Sequence, residues 1–275
     1  MSLFIGLLIG LVLGLTGAGG SVFAVPLLLL LDVPLHQAIG LSLGAVAISA
    51  IIGTLNKLRS NDIQWLPAMI FLIIGAVAAP FGNHLNQFIH ETTLLTSFVI
   101  LVLVIATKLW LQANKTPAHA QSVRAAKNSP ESNVTPNCRY ATQDMANRSS
   151  INISPKCLIS LGAGAMVTGT LSGLFGVGGG FIIVPVLLYL TGISIQKAVA
   201  TSLAIIAAIS LSGFTSFIAT NPLPNLQILA YLSIGGSIGM LAGTHISHSI
   251  AGPKLQKTFA LLMIIIALVT LIREL

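Results

Sequence analysis

The sequence predicts an all-α polytopic membrane protein of two inverted-topology repeats. Each repeat is a broken or re-entrant pair of short helices followed by three transmembrane helices. Three observations predict it. Charge is too scarce for a water-exposed surface: Asp, Glu, Lys and Arg make up 7% of the 275 residues, against about a quarter in a soluble domain. A glycine-rich stretch occurs twice, once at the head of each half. The basic residues gather on one side of the membrane only if the second half is turned over relative to the first.

The two stretches are Gly14-Leu-Thr-Gly17-Ala-Gly19-Gly20-Ser-Val-Phe-Ala-Val-Pro26 and Gly173-Leu-Phe-Gly176-Val-Gly178-Gly179-Gly180-Phe-Ile-Ile-Val-Pro185. Both spell G-x-x-G-x-G-G-x5-P inside apolar sequence. Further matches extend the repeat. Gln37-Ala38 lies near Gln196-Lys197-Ala198, Leu41-Ser42-Leu43 falls on Thr201-Ser202-Leu203, and Gly82-Asn83-His84 falls on Gly243-Thr244-His245. This is a duplication.

Leu3 to Leu15 is apolar, but at ~1.5 Å per residue it spans only about 20 Å, short of a hydrocarbon core of about 30 Å. Val22 to Leu31 is shorter still. The pair reads as a broken helix or a hairpin within the membrane, closed by Asp32-Val33-Pro34. Leu35 to Leu58 is a long helix studded with small residues, which let transmembrane helices approach closely. A polar, basic turn over 56–62 leads to a span from Trp65 to about Leu85. Leu94 to Leu111 ends the first half.

Residues 113–156 lose the apolar pattern and read as a flexible polar linker between a first repeat, 1–112, and a second, 157–275. The linker holds sequons at Asn133, Asn147 and Asn152, relevant only in a glycosylating lumen. Its Cys138, with Cys157 beside it, supports neither a disulfide framework nor a zinc site. The second half then repeats the first: Cys157 to Phe175, a short Phe181 to Leu190, a small-residue helix from Ile195 to about Ala219, Leu226 to about Ile246, and Leu255 to Ile272. The first fifteen residues lack a basic region and a small-residue cleavage site, so they read as retained.

Charge chooses between an odd and an even number of crossings per half. With the odd number, Lys57, Arg59, Lys108, Lys115, Arg124, Lys127, Arg139, Arg148, Lys156, Lys197, Lys254 and Lys257 all lie inside, and of the 13 basic residues only Arg273 lies outside. The even number puts Lys254 and Lys257 outside and an uncharged loop over 219–225 inside. The odd arrangement satisfies the positive-inside rule. It places both termini outside the plasma membrane (a bacterial inner membrane) and the linker in the cytoplasm. The net charge of +7 is thereby explained. With no basic-aromatic pattern, nucleic acid is not expected as a partner. Homo-oligomerisation is left open.

A chain break at membrane depth exposes backbone N–H groups that lipid cannot satisfy, and is tolerated where it lines a cavity. The segments that begin at Ser21 and Gly180 offer helix N-termini, with free N–H groups and the positive end of the dipole. Such termini suit a small anion. In an inverted repeat the two tips enter from opposite faces and meet near the midplane. The candidate binding residues are therefore Thr16, Gly17, Gly19, Gly20 and Ser21, and Gly176, Gly178, Gly179 and Gly180. Ser42, Thr201 and Ser202 stand one helix away. Their hydroxyls either face the anion or bond within and between helices. The glycines have an equally good structural reading, as packing positions in a turn. A nucleotide loop does not fit, because neither the ribose acid nor the Walker lysine is present.

The paired G-x-x-G-x-G-G-x5-P stretches, each followed by a short helix and a small-residue helix with Ser42 or Thr201-Ser202, resemble the TauE/SafE family of sulfite exporters, the four-transmembrane sulfur-anion permeases. The resemblance covers nearly all of the chain except the linker. It implies a transporter of sulfite, thiosulfate, sulfoacetate or a related sulfur-containing anion across the plasma membrane, with no cofactor. An anion channel, or a transporter of a non-sulfur anion, is the alternative. Ser21 stands where the second copy has Gly180, so the two sites need not be equivalent.

His84 and His245 occupy matching places late in matching helices. Each either carries protons or an anion, or caps its helix at the interface, and the second reading is favoured. No acid sits mid-helix, so no carboxylate proton relay is evident. No Ser-His-Asp arrangement and no metal-ligand cluster appears, so the reading is not that of an enzyme and assigns no catalytic residue and no metal.

Overall fold

A computed structural model describes residues 1–17, 20–58, 62–115, 155–191, 193, 195–221, 224–250, 261, 264–265 and 269. All the elements it describes are helices: α1 (Ser2–Thr16), α2 (Gly20–Leu29), α3 (Leu35–Leu58), α4 (Trp65–Asn86), α5 (Glu91–Lys115), α6 (Pro155–Phe175), α7 (Gly180–Thr191), α8 (Ile195–Thr220) and α9 (Leu226–Ile250). Among the described residues, five helices are long and apolar enough to cross a membrane: α3, α4, α6, α8 and α9. The fold is that of a polytopic helical membrane protein. Most of the expected linker, its three sequons and most of the last expected span, Leu255 to Ile272, lie outside the described residues.

The short helices are short for a local reason. Gly17 follows α1 with φ 70 and ψ −1, a left-handed conformation, and its N–H donates to the Leu13 carbonyl at 2.7 Å. A residue with a side chain resists that conformation, and glycine adopts it without steric cost. Gly176 ends α6 in the same way, with φ 68 and its N–H bonded to the Ser172 carbonyl at 2.9 Å. Beyond each stop the chain re-enters a helix, α2 of 10 residues and α7 of 12, lengths of about 15 and 18 Å at ~1.5 Å per residue. α2 then ends at a turn in which Asp32 also takes a positive φ, 59.

The halves interlock. α1 packs on α9, α6 packs on α4, and α3 packs on α8. Small residues set the first two pairings: Gly10 abuts Gly236 and Gly169 abuts Gly75, each with no room for a Cβ. Going along the chain, Gly6 faces Leu232 and Gly14 faces Met240, so α1 and α9 run in the same sense. Gly75 faces Ala165 and Gly82 faces Thr170, so α4 and α6 also run together. Gly40 meets the Phe217 ring while Gly44 meets Phe214, so α3 and α8 run in opposite senses. Without a hydrophobic drive between helices in lipid, close backbone approach and the dispersion it brings hold such pairs.

The centre of the molecule is α3, buried along Ala38–Ala47, with α8 buried beside it through Leu203, Ile205, Ile206 and Ile209. Bulky residues of α4 and α9, such as Ile73, Val77, Phe81, Ile234 and Ile238, face outward. That is the expected surface of a protein solvated by lipid. Cys157, buried near the start of α6, is disulfide-bonded, whereas the sequence suggested no disulfide role for the two cysteines. Spacing along a chain does not determine whether two Cβ atoms approach within bonding range.

Candidate functional site

The two helix stops, Gly17 and Gly176, are each held by the other half. The Ser42 hydroxyl on α3 donates to the Gly176 carbonyl at 2.5 Å and lies 2.8 Å from the Ile39 carbonyl. The Ser202 hydroxyl on α8 donates to the Gly17 carbonyl at 2.9 Å and lies 2.8 Å from the Val199 carbonyl. Both serines are buried. The carbonyl at a helix stop has lost its intrahelical donor, and a buried carbonyl must find another. Each serine supplies it across the interface between the halves. Packing follows the same exchange: a Cβ on Gly17 would strike Val199, and one on Gly176 would sit 2.8 Å from the Ile39 Cα.

From these anchors the chain runs inward. Gly178 and Gly179 also take positive φ, 67 and 65. Gly178 lies between the two central helices, where a Cβ would be 3.2 Å from Val46 Cγ1 of α3 and 3.4 Å from Ile206 Cγ2 of α8. α2 and α7 are in contact. Gly20 and Gly180 are the buried first residues of α2 and α7, and Ser21 is buried in the first turn of α2. The first residues of both short helices thus lie inside the protein, and at α7 the N–H groups of Ile182 and Ile183 bond the Gly179 carbonyl at 3.2 and 3.4 Å. Gly19 lies outside the described residues.

The remaining sequence-predicted residues separate into distinct places. Thr16 ends α1, with its hydroxyl donating to the Val12 carbonyl at 2.8 Å. Thr201 is turned to α4: its hydroxyl donates to the Lys197 carbonyl at 2.6 Å and accepts the N–H of Gln64, which precedes α4, at 2.9 Å. His84 and His245 are exposed, and His84 stacks edge-on against Phe88 with ring centroids 5.2 Å apart. Among the described residues no group of three His, Cys, Asp or Glu could hold a metal ion.

Sequence reasoning missed four polar residues around the second break. Asn86 donates its amide to the Leu174 carbonyl at 2.6 Å, closing the end of α6. Asn83 donates to the Ser216 hydroxyl at 3.2 Å. Ser172 and Ser210 are buried at the break itself. Asn83 carries a signal in the sequence, since it sits in the Gly82-Asn83-His84 triplet that matches Gly243-Thr244-His245. A serine in a small-residue helix carries no comparable signal.

Comparison with known proteins agrees with this architecture. The family described as sulfite exporter TauE/SafE matches residues 2–270. A probable membrane transporter protein of Xylella fastidiosa (strain Temecula1) is 29% identical over 271 residues, covering 97% of this chain and 92% of that protein. The probable membrane transporter protein YunE of Bacillus subtilis is 28% identical over 249 residues, covering 86% of this chain and 85% of its own. A probable membrane transporter protein of Haemophilus influenzae is 26% identical over 291 residues, covering 98% and 96%. No solved structure matches the chain. With the match spanning almost every described helix and both glycine breaks, the chain belongs to the TauE/SafE sulfite exporter family and is a multi-pass membrane transporter.

Proposed function

We propose that the protein moves a small sulfur-containing anion, such as sulfite, thiosulfate or an organosulfonate, by alternating access. The anion is held where the tips of α2 and α7 meet. One observation carries this reading: each glycine break is pinned by a serine of the opposite half, through Ser42 to Gly176 and Ser202 to Gly17. The contact between α2 and α7, and the position of Gly178 between α3 and α8, support a site at the tips of the two short helices. The positive dipole ends of two helices attract an anion and repel a cation. The family name, sulfite exporter, supports the choice of anion.

The opposed senses of α3 and α8 support reading the halves as inverted repeats. In such repeats one half rocks against the other around a fixed central site. The serine anchors cross the boundary at which that motion takes place. The charge pattern supports an orientation with both termini outside the plasma membrane and the linker in the cytoplasm.

The test is sulfite uptake into proteoliposomes, with and without a pH gradient, competed by thiosulfate, sulfate and an organosulfonate. Saturable uptake that a sulfur anion blocks is expected. Verified folded protein with no uptake above empty liposomes sinks the assignment of the anion. Flux that does not saturate points to a channel.

A further inference from the structure

Ser172 and Ser210 differ from most other hydroxyl side chains in this fold. Both are 0% exposed, yet neither Oγ has a hydrogen-bond partner. Other buried hydroxyls bond a carbonyl one turn back, as Ser49 does to Ala45, Thr168 to Gly164 and Thr191 to Leu187, while Ser233 on α9, away from the glycine breaks, is a third without a partner. That local acceptor is within reach of almost any helical serine. Buried polar groups left without a partner are uncommon, and each one asks for a reason.

Both serines flank the second glycine break. A Cβ on Gly178 would lie 2.9 Å from the Ser210 Oγ, and one on Gly179 would lie 3.5 Å from the Ser172 Cβ. The same turn opens α7: the Gly179 carbonyl accepts the N–H groups of Ile182 and Ile183, and those of Gly180 and Phe181 have no acceptor within the helix. Serines from α6 and α8 therefore flank the start of a 12-residue helix. The first break has no such pair. Before Gly14, in the place of Ser172, stands Leu13. Eight residues after Ser42, in the place of Ser210, stands Ala50. Both are buried and apolar.

We propose that the Ser172 and Ser210 hydroxyls, with the first-turn N–H groups of α7, form one oxyanion subsite at the second break. At the first break Leu13 and Ala50 stand in the places of these two serines, so the subsite has no equivalent there. The subsite takes the three-oxygen face of a sulfite-like or sulfonate group. Two O–H donors and the first N–H groups of α7 answer three acceptor oxygens, and all these donors are neutral, so the helix dipoles rather than a charged side chain offset the anion's charge. This deepens the transport reading and rests on it.

The experiment uses the full chain. Thermal unfolding is followed in detergent with sodium sulfite or sodium chloride at matched ionic strength, and sulfite uptake is followed in proteoliposomes. The variants are Ser172→Ala, Ser210→Ala and the pair together. Neither hydroxyl bonds the protein, so the ligand-free Tm should stay the same or rise. The sulfite-induced rise in Tm should disappear in the double variant, and KM for sulfite should increase about tenfold, a loss of ~1.4 kcal/mol. Ser42→Ala serves as contrast, because it loses a bond made in the ligand-free protein and should lower Tm with or without sulfite. A wild-type sulfite shift and KM in the double variant, or a fall in its ligand-free Tm, overturns the subsite while leaving the transport reading intact. A wild-type protein with neither a sulfite shift nor uptake overturns both.

Discussion

The Ser42 hydroxyl donates to the carbonyl of Gly176, 134 residues away, at 2.5 Å, and ties the core helix of one half to the chain break of the other. Ser202 and Gly17 repeat the contact at 2.9 Å with the halves exchanged. Neither half completes its own break, so the two are folded as one unit.

Ser42→Ala or Ser202→Ala therefore leaves a buried glycine carbonyl without its donor. Each is expected to cost about 1–3 kcal/mol, the penalty of an unsatisfied buried acceptor, and to lower Tm in detergent. The pair of substitutions reads the coupling between the breaks. A double variant as stable as the wild type would mean that the serines do not hold the breaks.

Gly179→Val puts a branched side chain on a residue at φ 65, with its Cβ 2.6 Å from Thr168 Cγ2. The strain is local, of order 1–3 kcal/mol, and the apolar spans that direct membrane insertion are untouched. Normal insertion with transport abolished is the expected result, read by membrane fractionation beside sulfite uptake. Wild-type uptake by this variant would remove the second break from the site.

Gly10→Leu addresses the scaffold. Gly10 abuts the backbone of Gly236 on α9, and a leucine there must push α1 away. Overpacking of a tight contact typically costs about 1–3 kcal/mol, and a backbone-on-backbone contact has little room to relax. The variant should run as an aggregate on size exclusion, as should Gly169→Leu at the matching contact with Gly75. A monodisperse, active Gly10→Leu protein would contradict the α1–α9 packing.

His84→Gln with His245→Gln is expected to leave uptake and its pH response unchanged, because both imidazoles are exposed at the ends of α4 and α9. Uptake is measured across pH 5 to 8, the range of about that width in which histidine titrates. A flattened pH response in the double variant would give the pair the proton-coupling role instead.

Orientation is read by impermeant thiol labelling of single cysteines placed at Asn56 and at Gln87. The charge pattern predicts labelling from outside at residue 87 and protection at residue 56. Outside labelling at residue 56 would reverse the topology and put the linker outside.

Much of this molecule is written in its sequence. Scarcity of charge dictates a bilayer environment, because no surface of such composition tolerates water. The duplicated G-x-x-G-x-G-G-x5-P stretch dictates two helix stops, because glycine is the residue that takes a left-handed stop without strain, as Gly17 and Gly176 do. The segment lengths of α1, α2 and α7 follow from those stops. What lies across the space between helices is not written there. Ser42 and Ser202 looked like groups that either face an anion or bond a helix, and only the packing of α3 and α8 turned their hydroxyls onto the glycine carbonyls. Thr201 adjoins Ser202 in sequence yet serves the start of α4, because neighbouring residues on a helix point about 100° apart. Ser172 and Ser210 stand out only because every helix around them leaves them without a partner. A hydrogen bond is short-ranged and directional, so its making or absence is decided by which backbones approach, and that is a property of the assembled halves.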